Sequence, residues 1–263
     1  MLHKITHSLR SGNNSLFTGK VCLQREETDS TNAELRDLAR RGEAGHGTVL
    51  VAEHQRVGRG QAGRSWQSDP GANLLFSLWY EPDFLHPAQL PLANRMVALA
   101  LLDAVTERLP GVDLRLKWPN DLLAGGKKLA GILIETQLRE RVEGLLIGIG
   151  VNVNQRAFPG LPDATSMALL TEAEHDRHAL LDSLCESLEA GYLLLRRGGA
   201  EEGLDRRYHE HLFGLGERRR FQAGERIFTA VVKGVDEDGR LRLATSDGEE
   251  RFGVGEIAWL GED

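Results

Sequence analysis

Three segments of this 263-residue chain hold side chains suited to an anionic ligand. The first is GRGQAGRSW at 58–66. Its glycines let backbone N–H groups approach a phosphate or carboxylate, and Arg59 and Arg64 can add bidentate, charge-assisted contacts. It is not a Walker A sequence, because no Gly-Lys-Ser/Thr follows at the required spacing, and it is not a dinucleotide fingerprint. The same composition also suits a solvated loop, so the segment alone leaves both readings open. The second is KWPNDLL at 117–123, where Pro119 ends a strand and leaves Asn120 and Asp121 at its mouth. Asparagine offers donors and an acceptor to a purine edge or a ureido ring, and aspartate can accept from a ribose hydroxyl or hold a magnesium-bound water. An Asn-Asp pair after proline also serves as a turn cap. The third is GKKLAGILIE at 126–135, in which Lys128 opens an apolar strand and the small Ala130 and Gly131 follow. Turned inward, its ammonium neutralises a carboxylate and the charge that develops on an attacked phosphate. Lys127 fits a solvated turn.

Regular elements must hold these segments. Residues 1–20 are polar with two turn-forming clusters and read as a short irregular leader, too short for a helix-turn-helix domain. Thr31 and Glu34 have capping-box spacing ahead of a helix of about three turns, with Gly42 as its stop. TVLVAE (48–53) and NLLFSLWY (73–80) read as buried strands joined by the glycine-bearing loop. Residues 89–109 are apolar around most of a helix, which predicts a central helix packed on a sheet. From 122 to 154 the pattern is strand, Gly-Gly turn, long strand, charged turn and strand, an antiparallel meander. Leu180, Leu181, Leu184, Leu188, Tyr192 and Leu195 recur at helical spacing, and a second helical stretch runs to about His211. After Gly214, short alternating strands separated by DEDG and SDGE turns predict a small SH3-like β-barrel. The expected fold class is α+β, a mixed or antiparallel sheet flanked by helices, with a main domain over 21–213 and the barrel over 214–263.

Composition narrows the function classes. Hydrophobic residues make up 41% and charged residues 27%, as in ordinary globular enzymes, and a net charge of −7 gives no broad attraction to nucleic acid. The longest apolar runs fall well short of a membrane span and the N-terminus lacks a signal-peptide core, which predicts a cytoplasmic protein. Two distant cysteines, Cys22 and Cys185, form no metal-ligand spacing, so no protein-bound metal is expected.

With DSTN at 29–32 and GIGVNVN at 148–154, the three segments resemble the catalytic domain of biotin protein ligases in content, order and spacing, over roughly residues 21–260. The resemblance implies a class II synthetase-like biotin/lipoate ligase fold without the N-terminal DNA-binding domain that some members carry. It implies an ATP- and Mg2+-dependent enzyme that makes biotinyl-5'-AMP and passes biotin to a lysine of a biotin carboxyl carrier protein. By resemblance, Ser30, Thr31, Asn32 and Gln55 take the ureido ring, and Arg59, Gly60, Gln61, Lys128 and Gly131 complete the biotin site. Lys128, Arg59 and Arg64 are the expected catalytic cations. Arg64, Trp66, Lys117, Asn120, Asp121 and Asn152 fall on the nucleotide side, with Trp66 near the adenine. Gln61 departs from the pattern, since some members have an arginine there that helps retain the adenylate. The glycines of the loop suit a lid that orders over ligand.

Two other readings compete. A lipoate ligase or octanoyltransferase shares the domain, but its pocket needs only apolar walls, whereas Ser30, Thr31, Asn32 and Gln55 form a polar set. A biotin-sensing binding protein would act through a DNA-binding domain, for which the leader leaves no room. A sheet of this type has an exposed edge compatible with a homodimer.

Overall fold

The computed structural model describes residues 6–9 and 13–261. The main sheet has eight strands: β1 (Thr6–Leu9), β2 (Val21–Thr28), β3 (Thr48–Gln55), β4 (Leu74–Tyr80), β5 (Leu114–Lys117), β6 (Asp121–Ala124), β7 (Lys127–Leu138) and β8 (Val142–Val151). Their spatial order is β1-β2-β3-β4-β8-β7-β6-β5. The β2–β3 pair is parallel because helix α1 (Thr31–Arg40) carries the chain across between them, and every other pair is antiparallel.

The two faces of the sheet differ. One carries Leu145, Ile147, Ile149 and Val151 of β8 against helix α2 (Leu90–Thr106), which is flanked by α4 (Arg177–Arg197) and α5 (Glu201–Glu210). The segment Pro87–Thr106 is long and apolar enough to cross a membrane by composition, yet in this fold it is the central core helix predicted from its all-round apolarity. The other face carries α1, through Leu35 and Leu38 packed on Leu23, Leu50, Trp79 and Leu146. The rest of that face is open for a ligand.

Helix α3 (Met167–Thr171), which the periodicity did not reveal, is only one turn long. Beyond α5 a five-stranded antiparallel sheet forms, in the order β12-β11-β10-β9-β13, from β9 (Arg218–Ala223), β10 (Arg226–Val235), β11 (Leu241–Thr245), β12 (Gly248–Phe252) and β13 (Ala258–Trp259). It docks on the main domain through Trp118, whose Nε1 donates to the Gly239 carbonyl at 3.0 Å, and Trp259, whose Nε1 donates to the Trp118 carbonyl at 3.0 Å.

Two expectations are corrected. The leader is not irregular throughout, since β1 pairs with β2 and covers an edge that would otherwise expose unpaired backbone groups. A strand of four residues is too short to show periodicity. Helix α1 is also capped by Ser30 rather than Thr31, with Ser30 Oγ accepting from the Ala33 N–H at 3.5 Å. Glu34 therefore makes no capping box: it takes Arg25 Nε at 2.6 Å and the Thr28 hydroxyl at 2.7 Å. That one-residue shift leaves Thr31 free to face the cleft.

Candidate active site

The cleft is carved by glycines. Pleating sends every second side chain of β8 to the open face, and Gly144, Leu146, Gly148 and Gly150 occupy those positions. A Cβ on Gly144 would lie 1.9 Å from Trp79, one on Gly148 2.3 Å from Asn32 Oδ1, and one on Gly150 2.6 Å from the Trp66 ring. On neighbouring β7, a Cβ on Gly131 would lie 3.0 Å from the same ring. The missing side chains form a floor on which Asn32 and Trp66 lie, bounding a cavity of about 230 Å³.

One end of the cavity is polar and neutral. Gln55 Oε1 accepts from the Thr31 backbone N–H at 2.8 Å and contacts its hydroxyl at 3.1 Å. Ser77, buried on β4, contacts Thr31 Oγ1 at 2.7 Å and Asn32 Oδ1 at 2.5 Å. Asn32 Nδ2 donates to Glu135 at 2.9 Å, and Arg36 holds the other oxygen of that carboxylate at 2.8 Å. Ser30 and Gln55 line the cavity beside Thr31 and Asn32.

The other end is ionic. Lys128 Nζ pairs with Asp121 Oδ1 at 2.7 Å and lies 5.6 Å from the centre of the Trp66 ring. The lysine side chain runs back over Gly131, its Cε 3.6 Å from the position of a Cβ there. Gly131 is two residues from Leu133, whose carbonyl meets Asn32, so about 7 Å of strand separates the two ends. Asn120 is fixed to β7 by a reciprocal pair, its Nδ2 donating to the Ile132 carbonyl at 2.7 Å and the Ile132 N–H donating to the Asn120 backbone carbonyl at 2.8 Å.

The loop 58–66 closes on itself beside this end. Trp66 N–H donates to the Gly58 carbonyl at 2.9 Å and Gly60 N–H to the Arg64 carbonyl at 2.7 Å. Two glycines are obligatory there: a Cβ on Gly58 would strike the Trp66 carbonyl at 2.4 Å, and Gly63 has φ +76°. Arg59 and Arg64 are exposed and, among the described residues, form no ion pair, so their charge is available to a ligand. The Trp66 indole N–H and Gln61 Oε1 are buried with no hydrogen-bond partner among the described residues. Lys117 sits in an adjoining recess between the domains, its ammonium 5.7 Å from the Phe213 ring and 5.6 Å from that of Trp259. Burial pushes it below the ordinary lysine range, against the pull of Asp121 and Asp163, and Lys128 and Arg64 add to the depression.

Residues 25–152 match the biotin/lipoate A/B protein ligase family, and residues 214–259 match the biotin protein ligase C-terminal domain. The chain is 32% identical to a biotin--[acetyl-CoA-carboxylase] ligase of Mycobacterium tuberculosis over 89% of this chain and 87% of that protein. It is also 32% identical to the bifunctional ligase/repressor BirA of Bacillus subtilis, over 93% and 75%. Among solved structures it resembles the biotin protein ligase of Aquifex aeolicus in complex with biotin and ATP, with a TM-score of 0.76 and 29% identity, over 92% of this chain and 99% of that one. The chain belongs to the biotin protein ligase family. It is a ligase.

In this ligase the motif residues converge, with two exceptions. Ser30, Thr31, Asn32, Gln55, Arg59, Gly60, Gln61, Arg64, Trp66, Asn120, Asp121, Lys128 and Gly131 all line the one cavity. Lys117 lines the inter-domain recess, and Asn152 lines a second, adjoining hollow whose rim includes Phe158 and Leu161. Asn152 is buried, and its Nδ2 donates to the Thr165 carbonyl at 2.9 Å, which anchors the segment that forms this rim. Sequence reasoning missed Ser77, Glu135 and Arg36, which stand behind the polar end.

Proposed function

We propose that biotin lies along the cleft with its ureido ring against Ser30, Thr31, Asn32 and Gln55 and its carboxylate at Lys128, and that ATP enters beside Trp66. The reaction joins biotin to a lysine of a biotin carboxyl carrier protein in two steps. A biotin carboxylate oxygen attacks the α-phosphate, and the bond to pyrophosphate breaks. The acceptor lysine amine then attacks the acyl carbon of the mixed anhydride, an amide forms, and AMP leaves. One observation carries the reading: a neutral hydrogen-bonding end and a lysine line one cavity over one glycine floor. A cyclic urea joined by a short alkyl chain to a carboxylate has this pattern.

The side chains supply alignment and charge. Lys128 is held by Asp121 with its ammonium over the floor, where it screens the approach of carboxylate to phosphate. Arg59 and Arg64 add charge from the loop as it closes over the adenylate. The described residues hold no group of three His, Cys, Asp or Glu side chains placed to bind a metal; magnesium comes in this reading with the phosphates, and Asp121 is the cavity carboxylate able to hold one of its waters. Lys117, Asn120 and Asn152 stay on the nucleotide side.

The polar set favours biotin over lipoate, whose ring would leave those groups unpaired. A homodimer through β7 is compatible with its free edge, since β6 pairs only with residues 127–131 of that strand. Incubating the protein with ATP, magnesium, biotin and a carrier domain tests the reading by mass spectrometry. One biotinyl group per carrier and one AMP per transfer are expected. Transfer of lipoate in place of biotin overturns it.

A further inference from the structure

One buried amide fastens together two chain segments that the site needs. Gln155, just past β8, is buried and lines neither the cavity nor the hollow beside it. Its Oε1 accepts from the Asp69 backbone N–H at 3.1 Å and from Asn73 Nδ2 at 2.6 Å, and its Nε2 donates to the Ala157 carbonyl at 2.8 Å. A backbone N–H only donates and a backbone carbonyl only accepts, so the amide has one orientation. Asn73, itself buried, is fixed in the same way: its Oδ1 accepts from the Val153 N–H at 2.9 Å, and its Nδ2 also donates to the Ser68 hydroxyl at 3.0 Å. The backbone adds a further tie, the Asn154 N–H donating to the Ala72 carbonyl at 2.9 Å. Residues 68–73 are the foot by which the loop 58–66 returns to β4. Residues 155–165 leave β8 and come back to Lys128, whose N–H donates to the Asp163 carbonyl at 2.6 Å and whose carbonyl accepts from the Thr165 N–H at 2.9 Å.

We propose that Gln155 is a positioning residue for the nucleotide: it holds the loop that carries Trp66 and the segment 155–165 at one fixed spacing, and ATP fills the hollow between them. The proposal rests on the reading above that Trp66 and Asn152 face the nucleotide. The hollow is lined by Trp66 and Gln67 from the loop, Phe158 and Leu161 from the segment, and Lys128 and Asn152. Asp69 stands two residues beyond Gln67, and Ala157 immediately precedes Phe158. Gln155 therefore grips each wall next to a residue that lines it. Without the amide, the Asp69 N–H and the Ala157 carbonyl, both on exposed residues, turn to water and the two walls are free to part. The far end of the segment stays clamped to Lys128, so the ammonium keeps its place and only the wall moves. The ureido end shares none of these partners, because Thr31 and Asn32 are held by Gln55, Ser77 and Glu135. Loss of Gln155 thus weakens ATP and spares biotin.

The test is Gln155→Met, which keeps the length of the side chain and removes its hydrogen bonds. Steady-state pyrophosphate release at saturating biotin gives KM and kcat for ATP, and calorimetric titration without nucleotide gives the affinity for biotin. KM for ATP is expected to rise about tenfold. Biotin affinity and kcat at saturating ATP change little, which is the pattern of lost binding rather than lost chemistry. A general loosening of the fold does not produce this split between the two ligands. Gln155→Glu keeps an acceptor for Asp69 and Asn73 but turns an oxygen toward the Ala157 carbonyl; it gives the same split and serves if the first variant fails to fold. An unchanged KM for ATP in a folded variant overturns the proposal, as does an equal loss of ATP and biotin. Wild-type turnover that needs no ATP overturns the parent reading, and the proposal with it.

Discussion

Gly150→Ala puts the glycine floor under direct strain. The new methyl carbon would sit 2.6 Å from Trp66 Cε2, 2.8 Å from Cζ2 and 3.1 Å from Nε1. Carbon atoms rest about 3.5–4.0 Å apart, so the ring must rise by roughly 1 Å. It has no lateral escape toward β7, because a Cβ at Gly131 would already be 3.0 Å from Cζ3. The strand itself accepts alanine, since Gly150 is not among the positive-φ glycines, and losing a strand glycine is worth about 0.5–1 kcal/mol. Overpacking costs about 1–3 kcal/mol, so the fold survives with a melting temperature within several degrees of wild type. Activity does not, because Trp66 closes the loop through its bond to Gly58 and a 1 Å misplacement beside reacting groups costs about 100-fold. Steady-state pyrophosphate release with saturating biotin, measured beside a thermal melt, reads both quantities. Wild-type turnover in a folded Gly150→Ala protein would refute the claim that the floor seats Trp66.

Other substitutions separate the two ends of the cleft. Lys128→Ala should slow single-turnover adenylate formation by about 10²–10³, and full retention of the rate would remove the lysine from the chemistry. Gln55→Leu should raise KM for biotin about tenfold or more with KM for ATP unchanged, so a matched rise in both constants counts against a ureido role. Glu189 on α4 is penalised by burial, but the N–H groups of Leu16, Thr18 and Phe17 outweigh this and hold its carboxyl below the usual range. With the folded value depressed, its stabilisation is present above the unfolded value, about 4.3, and fades as pH falls through the lower folded value. Urea midpoints of wild type and Glu189→Gln should therefore differ at pH 6 and converge as the acid limit is approached; a constant gap would contradict the assignment.

Much of this was legible in the sequence, for physical reasons that also mark where legibility stopped. The DEDG and SDGE turns delimit the C-terminal strands because turn geometry is local. The loop glycines, Lys128 and the Asn-Asp pair become readable as chemistry only in combination, because each segment alone also suits a solvated loop or a turn cap. The alternation of Gly144, Gly148 and Gly150 was visible in EGLLIGIG, but its purpose depends on Trp79, Asn32 and Trp66 arriving from other segments. Ser77 reaches the site only because β4 pairs it with Gly148, and Glu135 only because Asn32 and Arg36 of α1 reach over to β7. Such cross-strand registers leave no local trace. Ser30 and Thr31 are both good caps, and the choice between them is made by Gln55 and Ser77, which engage the threonine hydroxyl. Lys117, read from the sequence as a nucleotide-side residue, lies in the recess formed by the docked C-terminal sheet, a contact that no local pattern in either domain encodes.

The central claim is that one cleft selects a ureido ring at one end and activates a carboxylate at the other. Pyrophosphate exchange into ATP tests it most directly, run with biotin or lipoate in the absence of any acceptor protein. Exchange supported by biotin and not by lipoate is the predicted result. Equal exchange with both acids, or exchange with lipoate alone, would contradict the account.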